Sequence, residues 1–326
     1  MQVRRSIVPA ALVALIAFPS SSDPADAQTA WPTQNISVQV ASAPGGVTDI
    51  VARLVWQKLS ETMTHPAVFE NRSGAGGNLA ARMVSTATAD GHTILATTTA
   101  LAINDTASKS KGYATDQLRP VAIVAFTPDI VAVHPSNPAK TLGEFLANAK
   151  AKPPTYATAG VATAAHVGAA YLFKELAKVE AAHVPFQGGA PAMTALLGNH
   201  VDSLVLAMPV VTPALADGKL RGLGLASARR NAAAPDVPTY AEAGIPNFVT
   251  GTWVGFFVPA GTPVAVISRL NEATNEVMKQ APIVDRLAQL GLEPWVRTLS
   301  ETEAYFKREL EDWGKMVRAV GLAGSS

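Results

Sequence analysis

The sequence predicts an α/β chain folded as two lobes with a ligand cleft between them. Three observations carry that expectation. Short β-rich runs alternate with helix-patterned segments, which is how parallel strands and crossover helices are written in a sequence. Two proline-rich strips, His134-Pro-Ser-Asn-Pro138 and Ala234-Pro-Asp-Val-Pro238, mark places where the chain would cross between lobes and return. Of the 326 residues, about 300 remain once a leader is set aside, which is long for one core and ample for two.

Residues 1–27 read as that leader. Arg4 and Arg5 give a positive start, 7–18 is an apolar run, and Ala25-Asp26-Ala27 offers small residues for cleavage after Ala27. The run is too short to span a bilayer, which takes about 20 apolar residues. An exported, extracytoplasmic protein is expected. Lobe 1 is assigned to 28–126 and 228–326, and lobe 2 to 127–227.

The first unit is a strand at 36–40, the turn Ala41-Ser-Ala-Pro-Gly-Gly46, and a helix over 48–63 with Ile50, Leu54, Val55 and Leu59 on one face. A second strand at 67–70 turns through Ser73-Gly-Ala-Gly-Gly77 into a helix at 78–85. A third run, 93–97, ends in Thr97-Thr98-Thr99. Two extended runs follow, 121–126 and 130–133, separated by Thr127-Pro128-Asp129. Thr141-Leu-Gly-Glu144 then opens a helix over 142–151 as a capping box. The next units pair 155–158 with a helix at 164–178, 181–184 with one at 191–197, and 201–207 with one at 211–217. A strand at 220–226 closes this set, and another is expected at 253–258. The last helix opens at Ser300-Glu-Thr-Glu303 and carries Phe306, Leu310, Trp313, Val317 and Val320 as an amphipathic stripe for core packing.

Composition excludes several functions. A formal charge of +1 gives no basic field for nucleic acid. The absence of cysteine removes disulfides, thiolate metal sites and cysteine nucleophiles. Gly-x-Ser-x-Gly and His-Glu-x-x-His are both missing, and the six histidines show no i, i+4 pair. The Gly74-Ala-Gly-Gly-Asn-Leu79 loop fails the dinucleotide fingerprint at its third glycine, and no Gly-Lys-Ser/Thr follows any glycine-rich loop. No catalytic residue, metal ligand or cofactor is assigned.

Four strand-to-helix loops share one chemistry: 42–48, 97–104, 158–166 and 186–191. Each has small side chains, exposed main-chain N–H groups and a helix start behind it, and none contains Lys or Arg. The first N–H groups of a helix lack partners within it, and its dipole leaves partial positive charge there, so an anion fits. Ligands of open parallel sheets bind where such loops cluster. His166 stands at a helix start beside one loop. Trp253 and Phe186 could flank an apolar part of a ligand, although burial in the core is an equal reading.

The motifs Ala43-Pro-Gly-Gly-Val-Thr-Asp49, Glu70-Asn-Arg-Ser-Gly-Ala-Gly-Gly-Asn78 and Ala89-Asp-Gly-His-Thr93 resemble those of the Bug-type periplasmic solute-binding proteins of tripartite tricarboxylate transporters. Ala157-Thr-Ala-Gly160, His183-Val-Pro-Phe-Gln-Gly-Gly-Ala-Pro191 and Pro259-Ala-Gly-Thr-Pro263 continue the likeness in order across the mature chain. The resemblance implies a two-lobed, type II periplasmic-binding-protein-like fold with two crossing strands. It also implies a ligand cleft that closes on a small carboxylate. Carried onto this chain, it assigns ligand contacts to Ala43, Pro44, Gly45, Gly46, Thr48 and Asp49, with Thr98 and Thr99 beside them; Ser42, which opens the same candidate loop, is counted with them. In the second lobe it assigns Thr158, Ala159, Gly160, Thr163, Gln187, Gly188, Gly189 and Ala190. Asp202 matches an acidic position before a buried strand, where a structural hydrogen bond competes with ligand contact. The chain departs from the family at Ala41 and Ser42, where Pro and an aromatic residue are usual, and at Leu101, where His is common. The expected protein is a periplasmic monomer that captures a small organic anion, mono-, di- or tricarboxylate, for membrane transporter subunits. A ligand sensor subunit is the alternative, and a periplasmic hydrolase a weaker one.

Overall fold

The computed structural model describes residues 31–63 and 65–325, so the expected leader and its cleavage site lie outside the described residues. From the N-terminus the elements are β1 (Ile36–Val40), α1 (Val47–Ser60), β2 (Ala67–Asn71), α2 (Asn78–Ser85), β3 (Thr93–Thr98), α3 (Ala100–Ala107) and β4 (Leu118–Val133). Then come α4 (Leu142–Ala151), β5 (Thr155–Thr158), α5 (Ala164–Tyr171), β6 (Ala182–Pro185), α6 (Gly189–Leu197), β7 (Ser203–Ala207), α7 (Met208–Ala216) and β8 (Arg221–Leu225). The chain ends with β9 (Gly251–Pro259), α8 (Val264–Met278), α9 (Ala281–Gln289), β10 (Glu293–Pro294) and α10 (Leu299–Ala319). Among the described residues, no helix is long and apolar enough to cross a membrane.

The strands lie in the order β2-β1-β3-β9-β4-β7-β5-β6, with β8 and β10 also on β4. β4 belongs to both halves. Its first part pairs antiparallel with β9 as far as Pro128 opposite Gly251, and from Asp129 opposite Ala207 onward it pairs with β7. The two runs expected here are therefore one strand of 16 residues. Pro128 has no N–H to donate, but it sits where β4 exchanges partners, so the gap costs little. Across from it a Cβ on Gly251 would meet the Thr127 carbonyl oxygen at 2.2 Å, so only glycine fits that crossing.

Strand direction creates the cleft. β1, β2 and β3 are mutually parallel, β3 runs against β9, and β9 runs against β4. All three therefore point the same way as β4, toward Asp129. β7 runs against β4, and β5 and β6 run with β7, so this second set points toward Asp129 from the other side. The carboxyl ends of both parallel sets face each other across the junction. This is the two-lobed α/β fold that the sequence predicts.

The cores lie along the sheet. In the first, Leu101, Ile103, Trp253 and Phe257 pack with Phe306, Trp313 and Val317 of α10, the stripe read from the sequence, and this core also takes in Ala164 and Val167 from the start of α5. In the other half, alternation along β4 sends Ile130 and Ala132 to one face and Val131 and Val133 to the other. Local boundaries shift for identifiable reasons. α10 starts behind Thr298, which forms its capping box with Glu301 rather than at Ser300 and Glu303. Glu303 is engaged elsewhere, with Arg119 at 2.6 Å. The helix expected over 164–178 changes to a π-helical turn at Leu172–Leu176.

Candidate functional site

The first-lobe loop is held from behind. Gly45 turns the chain at φ +77° and donates its N–H to Asp49 Oδ2 at 3.0 Å. Asp49 Oδ1 accepts from Arg53 Nε and from Asn71 Nδ2, both at 2.9 Å, and Asn71 also donates to the Ser42 carbonyl at 3.1 Å. Burial works against the charge on Asp49, but the bonds from Gly45, Asn71 and Arg53 outweigh it and hold the carboxyl below its usual range. Asp49 and the buried Thr48 thus support the loop, while Ala43, Pro44 and Gly45 stand exposed at its tip and Ser42 and Gly46 are half-buried.

A neighbouring loop that the sequence reading did not place in the site joins it. A Cβ at Gly77 would lie 3.3 Å from Ala41 Cβ and 3.9 Å from Thr97 Oγ1. Asn104 fixes this loop by donating to the Gly76 carbonyl at 2.9 Å. Glycines at the carboxyl end of a strand are the available signal, and the sequence uses them here as a family motif without assigning them ligand contact. Thr98 is half-buried and accepts the N–H of Ala100 at 3.3 Å. Thr99 is enclosed. Its hydroxyl accepts from Trp253 N at 2.9 Å and donates to the Gly251 carbonyl at 3.2 Å, clipping β3 to the crossing strand.

In the second lobe the two expected loops are bonded to each other. Phe186 N donates to the Thr158 carbonyl and Gly188 N to the Ala159 carbonyl, each at 3.1 Å. Thr158 donates its hydroxyl to Gly160 O at 3.1 Å and lies 2.7 Å from His183 Nε2. Thr163 caps α5 by accepting from His166 N. Gln187 and Ala190 are exposed, and Gly189 packs so tightly that a Cβ would lie 2.9 Å from Val210. His166 is buried and stacks on His183 with ring centroids 3.6 Å apart. Burial, with the neighbouring ring, pulls His166 down to about 4, and burial pulls His183 down to about 4, so both rings are neutral at pH 7.

Two expected contacts give way to structural roles. Asp202 stands at the start of β7, where its carboxylate accepts the N–H and hydroxyl of Thr155, each at 2.8 Å. That is the amino end of β5, roughly 10 Å along the strand from the loop at its carboxyl end. Trp253 is fully enclosed in the first core and donates its indole N–H to Glu309. A large ring with a satisfied N–H is core material.

The loops at this junction present main chain and small polar groups together with the exposed aliphatic side chains Val47, Leu79, Val161 and Val210. α1, α2, α3, α6 and α7 all start at this edge without a side-chain cap, while α5 is capped by its own Thr163. Arg53 turns to Asp49 and Asn71, and Arg72 turns to Gln39 and Glu70. Among the described residues no three metal-ligating side chains come together.

A family model described as "Tripartite tricarboxylate transporter family receptor" matches residues 51–322. The protein BugT of Bordetella pertussis is 31% identical over 313 residues, covering 94% of this chain and 93% of its own. MatC of Rhodopseudomonas palustris, solved with bound malate, is 32% identical at a TM-score of 0.74, over 88% of this chain and 100% of that one. Rpa4515 of R. palustris, solved with adipate, is 29% identical at a TM-score of 0.78, over 90% of this chain and 99% of that one.

Proposed function

The chain belongs to the tripartite tricarboxylate transporter receptor family, and from that premise we propose that it captures a small organic carboxylate in the periplasm and delivers it to an importer. The observation that carries this reading is the convergence of uncapped helix N-termini from both parallel sets on one junction. Such N-termini stabilise negative charge through oriented N–H groups. The loops they start from bring no cation of their own, so amides, hydroxyls and bound water would hold the carboxylate.

Aliphatic side chains at the same strand ends support a ligand with a hydrocarbon body. Val47, Leu79, Val161 and Val210 are 41%, 46%, 54% and 39% exposed, and each lies in a loop or first helical turn that follows a parallel strand. Malate in MatC and adipate in Rpa4515 are carboxylates of this size range. Capture followed by lobe closure would then be a hinge motion about the crossing strands.

A thermal-shift panel of mono-, di- and tricarboxylates against neutral and cationic analogues tests the assignment. A ligand at 100 times its Kd should add about 2.7 kcal/mol of stability. Stabilisation by neutral or cationic compounds alone would refute it. Deletion of the gene followed by uptake of the stabilising acid then tests the importer role.

A further inference from the structure

His166 and His183 were not paired by any spacing in the sequence, yet the fold stacks them at 3.6 Å with 11° between their planes. The stack continues to Tyr156, whose ring lies 5.1 Å from that of His183. Both imidazoles are wired to one loop. Ala162 donates its N–H to His166 Nδ1 at 3.1 Å, and His183 Nε2 meets the Thr158 hydroxyl at 2.7 Å. Ala162 itself sits at φ +56°, a left-handed conformation that a non-glycine residue adopts only when something holds it.

The hydrogen bonds define the proton position on His166. Because Ala162 donates to His166 Nδ1, that nitrogen carries a lone pair, and the ring proton is on Nε2. The Thr158 hydroxyl lies 3.1 Å from Gly160 O and 2.7 Å from His183 Nε2, so His183 is tied to the same loop whichever partner donates. A proton added to Nδ1 of His166 would turn its N–H against the N–H of Ala162. Two cationic rings could not remain stacked at this separation either.

Resting on the carboxylate-capture reading for its functional meaning, we propose that His166, backed by His183, is the positioning residue of the second-lobe ligand loop, and that acid disengages the loop by protonating it. The groups facing His166 are His183 from β6, Tyr156 from β5, Lys174 from the π-helical turn and Glu180 before β6. With Val320 and Leu322, the latter three border a cavity of about 200 Å³ that His166 also lines. Lys174 is held by the Ala319 carbonyl at 3.0 Å. Burial disfavours charge on both imidazoles, so the effect belongs between pH 6.5 and about 4.

Hydrogen exchange read by mass spectrometry on the full chain tests this without any ligand. After correction for intrinsic rate, protection of 159–163 should fall at least tenfold between pH 7.5 and pH 4.5, while β4 stays protected as an internal reference. His166→Asn supplies an acceptor that does not titrate and should keep the loop protected at both pH values. His166→Leu should leave it unprotected at both. Unchanged wild-type protection, or the same acid loss in His166→Asn, would overturn the proposal. Adipate as probe then gives the functional arm: if it binds, its Kd should rise with acid in the wild type and far less in His166→Asn, and an equal rise in both would overturn it. Failure of every carboxylate to bind would refute the capture reading and leave the exchange result standing.

Discussion

Trp253 donates its indole N–H to Glu309 at 2.8 Å, across 56 residues of sequence, and Trp313 donates to the same carboxylate oxygen at 2.8 Å. Burial raises the Glu309 pKa, and the bonds from Trp253, Trp313 and Tyr305 oppose that shift without cancelling it. The carboxylate therefore ties the returning strand β9 to α10. Glu309→Ala should strand two indole N–H groups and lower stability by roughly 2–4 kcal/mol. Urea denaturation reads that loss, and ligand affinity at 25 °C should hardly move because the network lies behind the first core.

Asp129 sits where β4 leaves β9 for β7, and among the described residues neither of its carboxyl oxygens has a hydrogen-bond partner. Burial pushes its pKa up to about 7. The folded state then binds a proton more tightly than the unfolded one, so stability is full below pH 3.8, falls as pH rises toward 7, and levels off above it. Asp129→Asn removes this dependence. The stability of the variant relative to wild type should climb by up to about 1.4 kcal/mol per pH unit inside that window. Denaturation curves at pH 5, 6, 7 and 8 measure it. A difference that does not change with pH would mean the group is ionised in the fold.

Asp49 places the first-lobe loop through three bonds, so its removal separates positioning from contact. Asp49→Ala should weaken binding of a carboxylate such as adipate by about tenfold or more, with a stability loss of roughly 1–3 kcal/mol. Asp49→Asn keeps one acceptor oxygen and should recover part of both. Calorimetric titration of the three proteins distinguishes this from direct contact, which would make the Asp49→Asn variant bind the anion more tightly through lost repulsion.

Local pattern was enough to read the strand-loop-helix units, and β1, α2, α4 and β5 have the bounds expected from it. It was also enough for the glycine loops at the carboxyl ends of strands, because positive φ and close main-chain approach favour glycine there. Partner identity was not legible. Whether Thr99 faces a ligand or the crossing strand, and whether Trp253 lines a cleft or fills a core, depends on which strand lies alongside. For the Asp202 carboxylate, ligand contact and a structural hydrogen bond compete in the sequence until parallel pairing of β5 and β7 puts Thr155 next to it. The His166–His183 stack is of the same kind, made by a helix and a strand that no periodicity connects.

The aliphatic residues at the cleft edge make a prediction about ligand shape that is independent of charge. If Val47, Leu79, Val161 and Val210 close over the body of the ligand, each methylene added to an α,ω-dicarboxylic acid should contribute about 0.8 kcal/mol, or roughly fourfold in Kd, until the cleft is filled. A hydroxyl on the same chain should weaken binding, because it would be buried against carbon without a partner. Succinate, glutarate, adipate and pimelate form the series, with malate as the hydroxylated control, and calorimetric Kd values are the readout. Val161→Ser and Val210→Ser should flatten the slope while leaving the shortest acid nearly unaffected. A flat wild-type series, or malate binding more tightly than succinate, would place polar groups rather than these side chains against the ligand body, with the carboxylate assignment itself intact.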